Sequence, residues 1–164
     1  MQAVGESPAV NSQLDGWQLL LVLSVREVFQ TMLATKLAPV FEPSKTLLLE
    51  WTAMVGMSGE LRGTLMISCD EKSAIAITAK MLGEPAQAAN PQTADALGEV
   101  CNMVAGNFKH KVQGLSGHCA LSPPTVVTGT DYRVHRRESR SVQSLGVTFA
   151  FDGAPVYVSL EIQR

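Results

Sequence analysis

Cysteine is scarce in this sequence. There are three, Cys69, Cys101 and Cys119, an odd number with no two close together. That pattern offers neither a disulfide framework nor a zinc ligand set. Cys69 and Cys101 fall on apolar faces and read as buried thiols, which suits a reducing compartment. Excess charge is missing too. Thirteen Lys and Arg against fifteen Asp and Glu leave a net charge of −2, so no whole-molecule field draws the chain to nucleic acid or to an anionic membrane. No apolar run is long enough to span a bilayer. The strongest, WQLLLVLSV from Trp17 to Val25, stops at Arg26 and Glu27 and has no basic stretch before it; it reads as part of a core helix, not as a membrane span or a leader. Glycine loops that would cradle phosphate and nucleophile-elbow patterns are absent, and His110, His118 and His135 stand in unrelated contexts. ATP-dependent and Ser-His-Asp chemistry are therefore disfavoured. The expected location is cytoplasmic.

What is present is an ordinary globular composition: 164 residues, 46% apolar and 17% charged, enough for one domain with a core. Residues 1–13 lack periodicity and read as a flexible tail, leaving 14–164 as the domain. Apolar residues at helical spacing run from about Leu14 to Leu37, with Pro39 and Pro43 closing the helix. Two strand-like runs follow, Thr46 to Met57 and Leu61 to Cys69, around a Ser58-Gly59-Glu60 turn. Asp70 is placed to cap a helix from Glu71 to Leu82, with Gly83 just past its end. Asn90-Pro91 opens a long helix to about Val112, ended by Gly114 and Gly117. Strand patterns then cover Cys119–Thr128, Val142–Phe151 and Val156–Ile162, the last two joined by Asp152-Gly153. The basic run Arg133–Arg140 reads as a solvated hairpin tip. The order predicts an α+β domain: a mainly antiparallel β-sheet with long helices packed on one face. Each half is a long helix followed by strands, a weak sign of internal duplication.

The long helix carries the most informative face. Leu97, Val100, Cys101, Val104, Phe108 and Val112 form one apolar stripe. Opposite it the wheel sets Asp95, Gly98, Glu99, Asn102, Gly106 and Lys109. Glu99 and Asn102 are three apart and therefore neighbours on the surface. Asn102 has Gly98 four before it, Gly106 four after and Ala105 three after. Each glycine costs a helix interior about 1 kcal/mol relative to alanine, so a use is expected for them. A surface cleared for close approach of a partner is one use; packing against another helix is the other. Glu-x-x-Asn on a helix face is otherwise a common solvated pattern.

At these residues the chain resembles the CheC/CheX/FliY family of chemotaxis phosphatases, marked by Glu-x-x-Asn followed shortly by glycine, here Glu99-Val-Cys-Asn102 and then Gly106. The lead-in Asp95-Ala-Leu-Gly98 also resembles the family's, and the helix segment SVREVFQTML from Ser24 to Leu33 and LSPPTVVTG from Leu121 to Gly129 are similar to the CheX branch. The likeness covers about residues 14–162. Branches with two motifs repeat Glu-x-x-Asn on the first helix. Here that place reads Glu27-Val-Phe-Gln30 without glycines, so it is expected to be inactive. The resemblance implies hydrolysis of the phospho-aspartate on a CheY-like response-regulator receiver domain. Asn102 would hold the water in line and Glu99 would accept a hydrogen bond from the receiver's lysine. Asp95, Gly98, Ala105, Gly106 and Lys109 would meet the partner. It implies no cofactor of the chain's own, with Mg²⁺ in the receiver, and a homodimer formed by pairing or exchanging strands. A non-catalytic receiver-binding scaffold or flagellar-switch module is the alternative. The basic run Arg133–Arg140 could speed encounter with an acidic receiver.

Overall fold

The computed structural model describes residues 8–40, 49–115, 117–130, 132 and 142–163. The basic run Arg133–Arg140 lies outside the described residues, as do residues 46–48 at the start of the first expected strand. Among the described residues three helices, α1 (Pro8–Leu33), α2 (Glu71–Leu82) and α3 (Pro91–Lys111), pack against a seven-stranded antiparallel sheet. The strands are β1 (Ala38–Val40), β2 (Trp51–Gly59), β3 (Arg62–Cys69), β4 (Cys119–Leu121), β5 (Thr125–Thr128), β6 (Val142–Phe151) and β7 (Ala154–Gln163). Their order across the sheet is β1-β6-β7-β3-β2-β4, with β5 also paired to β2. The β2–β3 and β6–β7 hairpins meet along β3 and β7.

Local chemistry sets most boundaries. The Asp70 side chain accepts from Ser73 N–H at 2.8 Å and opens α2, and Gly83, left-handed at φ +68, ends it. Asn90 caps α3 through a capping box with Thr93, and Pro91 occupies the first turn. Asp152 and Gly153 both have positive φ, as a tight two-residue hairpin turn requires. The β2–β3 turn depends on Gly59, at φ +115, where a Cβ would lie 2.1 Å from the His118 carbonyl oxygen.

Both ends of the first helix differ from the sequence reading, and a short strand follows it. Helix α1 begins at Pro8, inside the stretch read as tail, because proline is well placed in a first turn even where apolar periodicity is lacking. It ends at Leu33, not Leu37. Ala34 turns left-handed at φ +49, and Thr35 N–H bonds to the Phe29 carbonyl while its hydroxyl bonds to that of Leu33. Leu37 keeps the apolar pattern going only because it is buried beyond the helix end. Pro39 then sits in β1, the sheet's outermost strand, where a missing N–H costs no ladder bond on the open side.

One face of the sheet meets the helices. Ala53 and Val55 of β2, Leu65 and Ile67 of β3, Val158 and Leu160 of β7 and Phe149 of β6 are fully buried there. Helix α3 touches α1, α2, β2, β3, β4 and β5, so it is the central helix of the layer. Its whole expected stripe, Leu97, Val100, Cys101, Val104, Phe108 and Val112, is buried. The Trp17 ring meets Phe108 edge-on at 6.5 Å, tying α1 to α3. On the opposite sheet face, hydroxyls of Thr52 and Ser68 bond to each other at 2.8 Å, and Thr52 also bonds to Tyr132.

Candidate active site

The outer side of α3 is not one uniform cleared surface. Asp95 and Glu99 are exposed, and Asn102 and Gly106 are half-buried. These four make a polar ridge along the helix. Glu99 and Asn102 stand on it side by side, as their three-residue spacing dictates.

The other residues assigned to a partner surface turn inward. Ala105 is fully buried in the core. Gly98 is buried as well: a Cβ there would lie 3.3 Å from both Cβ and Cγ of Pro124 and 3.5 Å from Val126 Cγ2. The first glycine thus makes room for the chain's own β5 side, not for another molecule. Lys109 donates from Nζ to the Cys119 carbonyl at 2.6 Å, which commits it to β4. Gly106 differs from Gly98. The nearest atom a Cβ would meet is Leu121 Cδ1 at 4.0 Å, so its surface is open.

Pro124 was missing from the sequence-based site, and its placement has a simple cause. Cys119–Thr128 is not one strand. Met57 pairs with Leu121 and Met54 with Thr125, so three steps along β2 oppose four along the other strand. The extra residue is a bulge at Ser122-Pro123-Pro124, where two residues in succession cannot donate to the ladder. Ser122 stitches the bulge down: its N–H donates to the Gly56 carbonyl, and its hydroxyl oxygen accepts from Gly56 N–H at 2.8 Å. The bulge brings Pro124 against Gly98, one turn before Asn102. The Pro-Pro pair inside an apolar run was the available signal. Adding a methyl at Gly98 recovers helix propensity of about 1 kcal/mol but crowds Pro124, so Gly98→Ala should change stability by less than about 1 kcal/mol. Gly98→Leu should cost about 1–3 kcal/mol through overpacking. Thermal unfolding of the two variants checks this.

The cysteines supply no nucleophile. Burial pushes the Cys69 thiol up to about 12, aided by the charges of Asp70 and Glu50. Burial does the same to Cys101, also up to about 12, against a backbone hydrogen bond from Ile67. Cys119 is buried too.

A protein-family model described as chemotaxis phosphatase CheX matches residues 51–150, which contain the whole ridge, the bulge and most of the sheet. The chain belongs to the CheX family. A CheX-family relative, the CheY-P phosphatase CheX of Thermotoga maritima, is 32% identical over 82 residues, covering 49% of this chain and 53% of that protein. The chain thus matches about half the length of that relative. Among solved structures, the chemotaxis protein CheX of Vibrio vulnificus superposes with a TM-score of 0.74 at 24% identity, covering 90% of this chain and 96% of that one. A CheX–CheY–BeF3–Mg²⁺ complex from Borrelia burgdorferi superposes with a TM-score of 0.73 at 22% identity, covering 90% and 98%. These likenesses establish a CheX-like fold over most of the domain.

The α1 segment Glu27–Gln30 is the place where, by resemblance, the two-motif branches would carry their second Glu-x-x-Asn. Here Glu27 is held by α3: Lys111 Nζ lies 2.8 Å from its Oε2, and Asn107 Nδ2 donates to it at 3.2 Å. The hydrogen bond from Lys111, then that from Asn107, lowers its carboxyl below the usual range. Glu27 is therefore engaged within the fold, while Glu99 projects from its ridge.

Proposed function

We propose that this chain is a phosphatase for the phospho-aspartate of a CheY-like receiver domain, with Asn102 and Glu99 as its working residues. The observation that carries the reading is the pairing of exposed Glu99 with half-buried Asn102 beside the open surface of Gly106, on a helix braced by sheet and bulge. Family membership and the activity named for the Thermotoga relative support it, as does the CheY partner named in the Borrelia complex.

The chemistry suits so spare a site. An aspartyl phosphate is an acyl phosphate, already reactive toward water. Its hydrolysis needs an aligned nucleophile and neutralised charge on the transferring oxygens. Mg²⁺ and a lysine of the receiver supply the charge. The Asn102 side-chain carbonyl accepts a hydrogen bond from water and holds it in line with the phosphorus. An amide is no general base at neutral pH, so alignment carries the rate. The Glu99 carboxylate accepts a charge-assisted hydrogen bond from the receiver's lysine and sets the register of docking. Asp95 and Gly106 border the contact. The chain supplies no cofactor in this scheme. The Glu27–Gln30 position is silent, because its carboxylate is occupied by Lys111 and Asn107 and a glutamine stands where asparagine would be. A homodimer that pairs or exchanges strands belongs to the same reading.

No helix among the described residues is long and apolar enough to cross a membrane. The proposed setting is cytoplasmic, where receiver domains work.

The test is turnover. A sub-stoichiometric amount of the protein is added to a panel of phosphorylated receiver domains, and phosphate release is followed. Release of many equivalents per protein chain from at least one receiver is expected. Binding with release of no more than one equivalent would make it the scaffold of the alternative reading.

A further inference from the structure

Beside the Glu99–Asn102 ridge, α1 and α3 leave an open groove of about 590 Å³ between them. Val28 and Met32 of α1 and Met103 of α3 supply its apolar lining. Its polar neighbours are largely engaged already. Glu27 is bonded to Lys111 and Asn107. His110 Nδ1 lies 2.7 Å from the Gly106 carbonyl oxygen, which can only accept, so the ring is engaged there. The groove therefore presents mainly thioether and alkyl surface, and Met32 remains 45% exposed in it. Methionines of this kind adapt to the shape of an apolar guest.

Position says which guest. Met103 directly follows Asn102, about 1.5 Å further along the axis, and Gly106 lies about one turn on. Gly106 borders the groove and the ridge alike, and its missing Cβ leaves the two continuous. A stable contact between folded domains covers roughly 800 Å² on each side. A contact of that size around Glu99 and Asn102 extends well past the ridge, and the groove adjoins the ridge at Gly106.

We propose that the α1–α3 groove takes an apolar side chain from the phospho-receiver, and that Met32 and Met103 help set which receiver is bound. This rests on the phosphatase reading above. The docked side chain removes Met32 from water and adds affinity without touching the reacting atoms, so it acts on binding and not on the chemical step.

The experiment compares Met32→Gln and Met32→Leu with wild type on the receiver that wild type dephosphorylates fastest. Gln is neutral, so long-range attraction to the receiver is unchanged. Met32→Gln should raise KM about tenfold, as loss of one apolar contact predicts, with kcat within about twofold. Met32→Leu should restore KM to within about twofold of wild type. Equal melting temperatures for all three proteins verify folding. An unchanged KM in Met32→Gln overturns the proposal, and so does an equal loss in Met32→Leu. Dissociation constants for a beryllofluoride-loaded receiver are measured on the same three proteins. If wild type binds that receiver but does not turn it over, the phosphatase reading fails, while the binding series still decides the groove. If no receiver in the panel binds, both fail.

Discussion

Asn102→Ala is expected to lower kcat by about a hundredfold or more while leaving KM within a few-fold of wild type. Misplacing a reacting group by about an ångström already costs this much, and here the water loses the acceptor that the proposed mechanism gives it. The substitution removes an amide from a half-buried ridge position whose core-facing neighbours, Cys101 and Val104, are untouched. Alanine is the best helix former, so the fold should be as stable as wild type or slightly more so. Two measurements suffice: phosphate release from the phosphorylated receiver, and thermal unfolding. A folded variant with full activity would remove Asn102 from the mechanism. Glu99 separates from it by kind of effect. A carboxylate that fixes docking through the receiver's lysine contributes to binding in both ground and transition states, so its loss would appear in KM as well as in kcat.

The two glycines show how much of the site was legible in the sequence. Their cost in a helix interior pointed to a use for both, and the wheel set both on the side away from the apolar stripe. The structure gives them different uses. Gly98 is filled by Pro124 and Val126 of the same chain, whereas Gly106 stays open. Periodicity reports which face of a helix is apolar. It does not report what folds over a bare spot on the other face, and Pro124 arrives there only through a bulge whose register is set against β2. Lys109 and Ala105 illustrate the same limit of periodicity: their neighbours, the Cys119 carbonyl and the core, come from elsewhere in the chain. Signals confined to a few residues were read correctly. Asp70 and Gly83 bound α2, Asn90-Pro91 opens α3, and Asp152-Gly153 turns β6 into β7. The end of α1 was missed because Leu37 extends the apolar pattern past the left-handed Ala34. β1 was missed because three residues containing a proline carry almost no strand signal.

Phe108→Ala should produce the opposite signature to Asn102→Ala. Phe108 is fully buried at the back of the proposed active helix and meets the edge of Trp17. Truncating a buried phenylalanine costs about 3–5 kcal/mol. The aromatic contact contributes part of that, on the order of 0.5–1.5 kcal/mol. In a domain of this size each kcal/mol lowers the melting temperature by about 2–4 °C, so a drop of roughly 6–20 °C is expected in thermal unfolding. Well below the new midpoint, activity per folded molecule should remain within a few-fold of wild type. Leu97, Val100, Cys101 and Val104 still anchor the turns that carry Glu99 and Asn102, and Pro124 still packs on Gly98. Were kcat instead to collapse in a protein that is still folded, the ridge would depend on Phe108 for its alignment, and the brace at Gly98 would not be enough to hold it. A melting temperature close to wild type would contradict the buried placement itself.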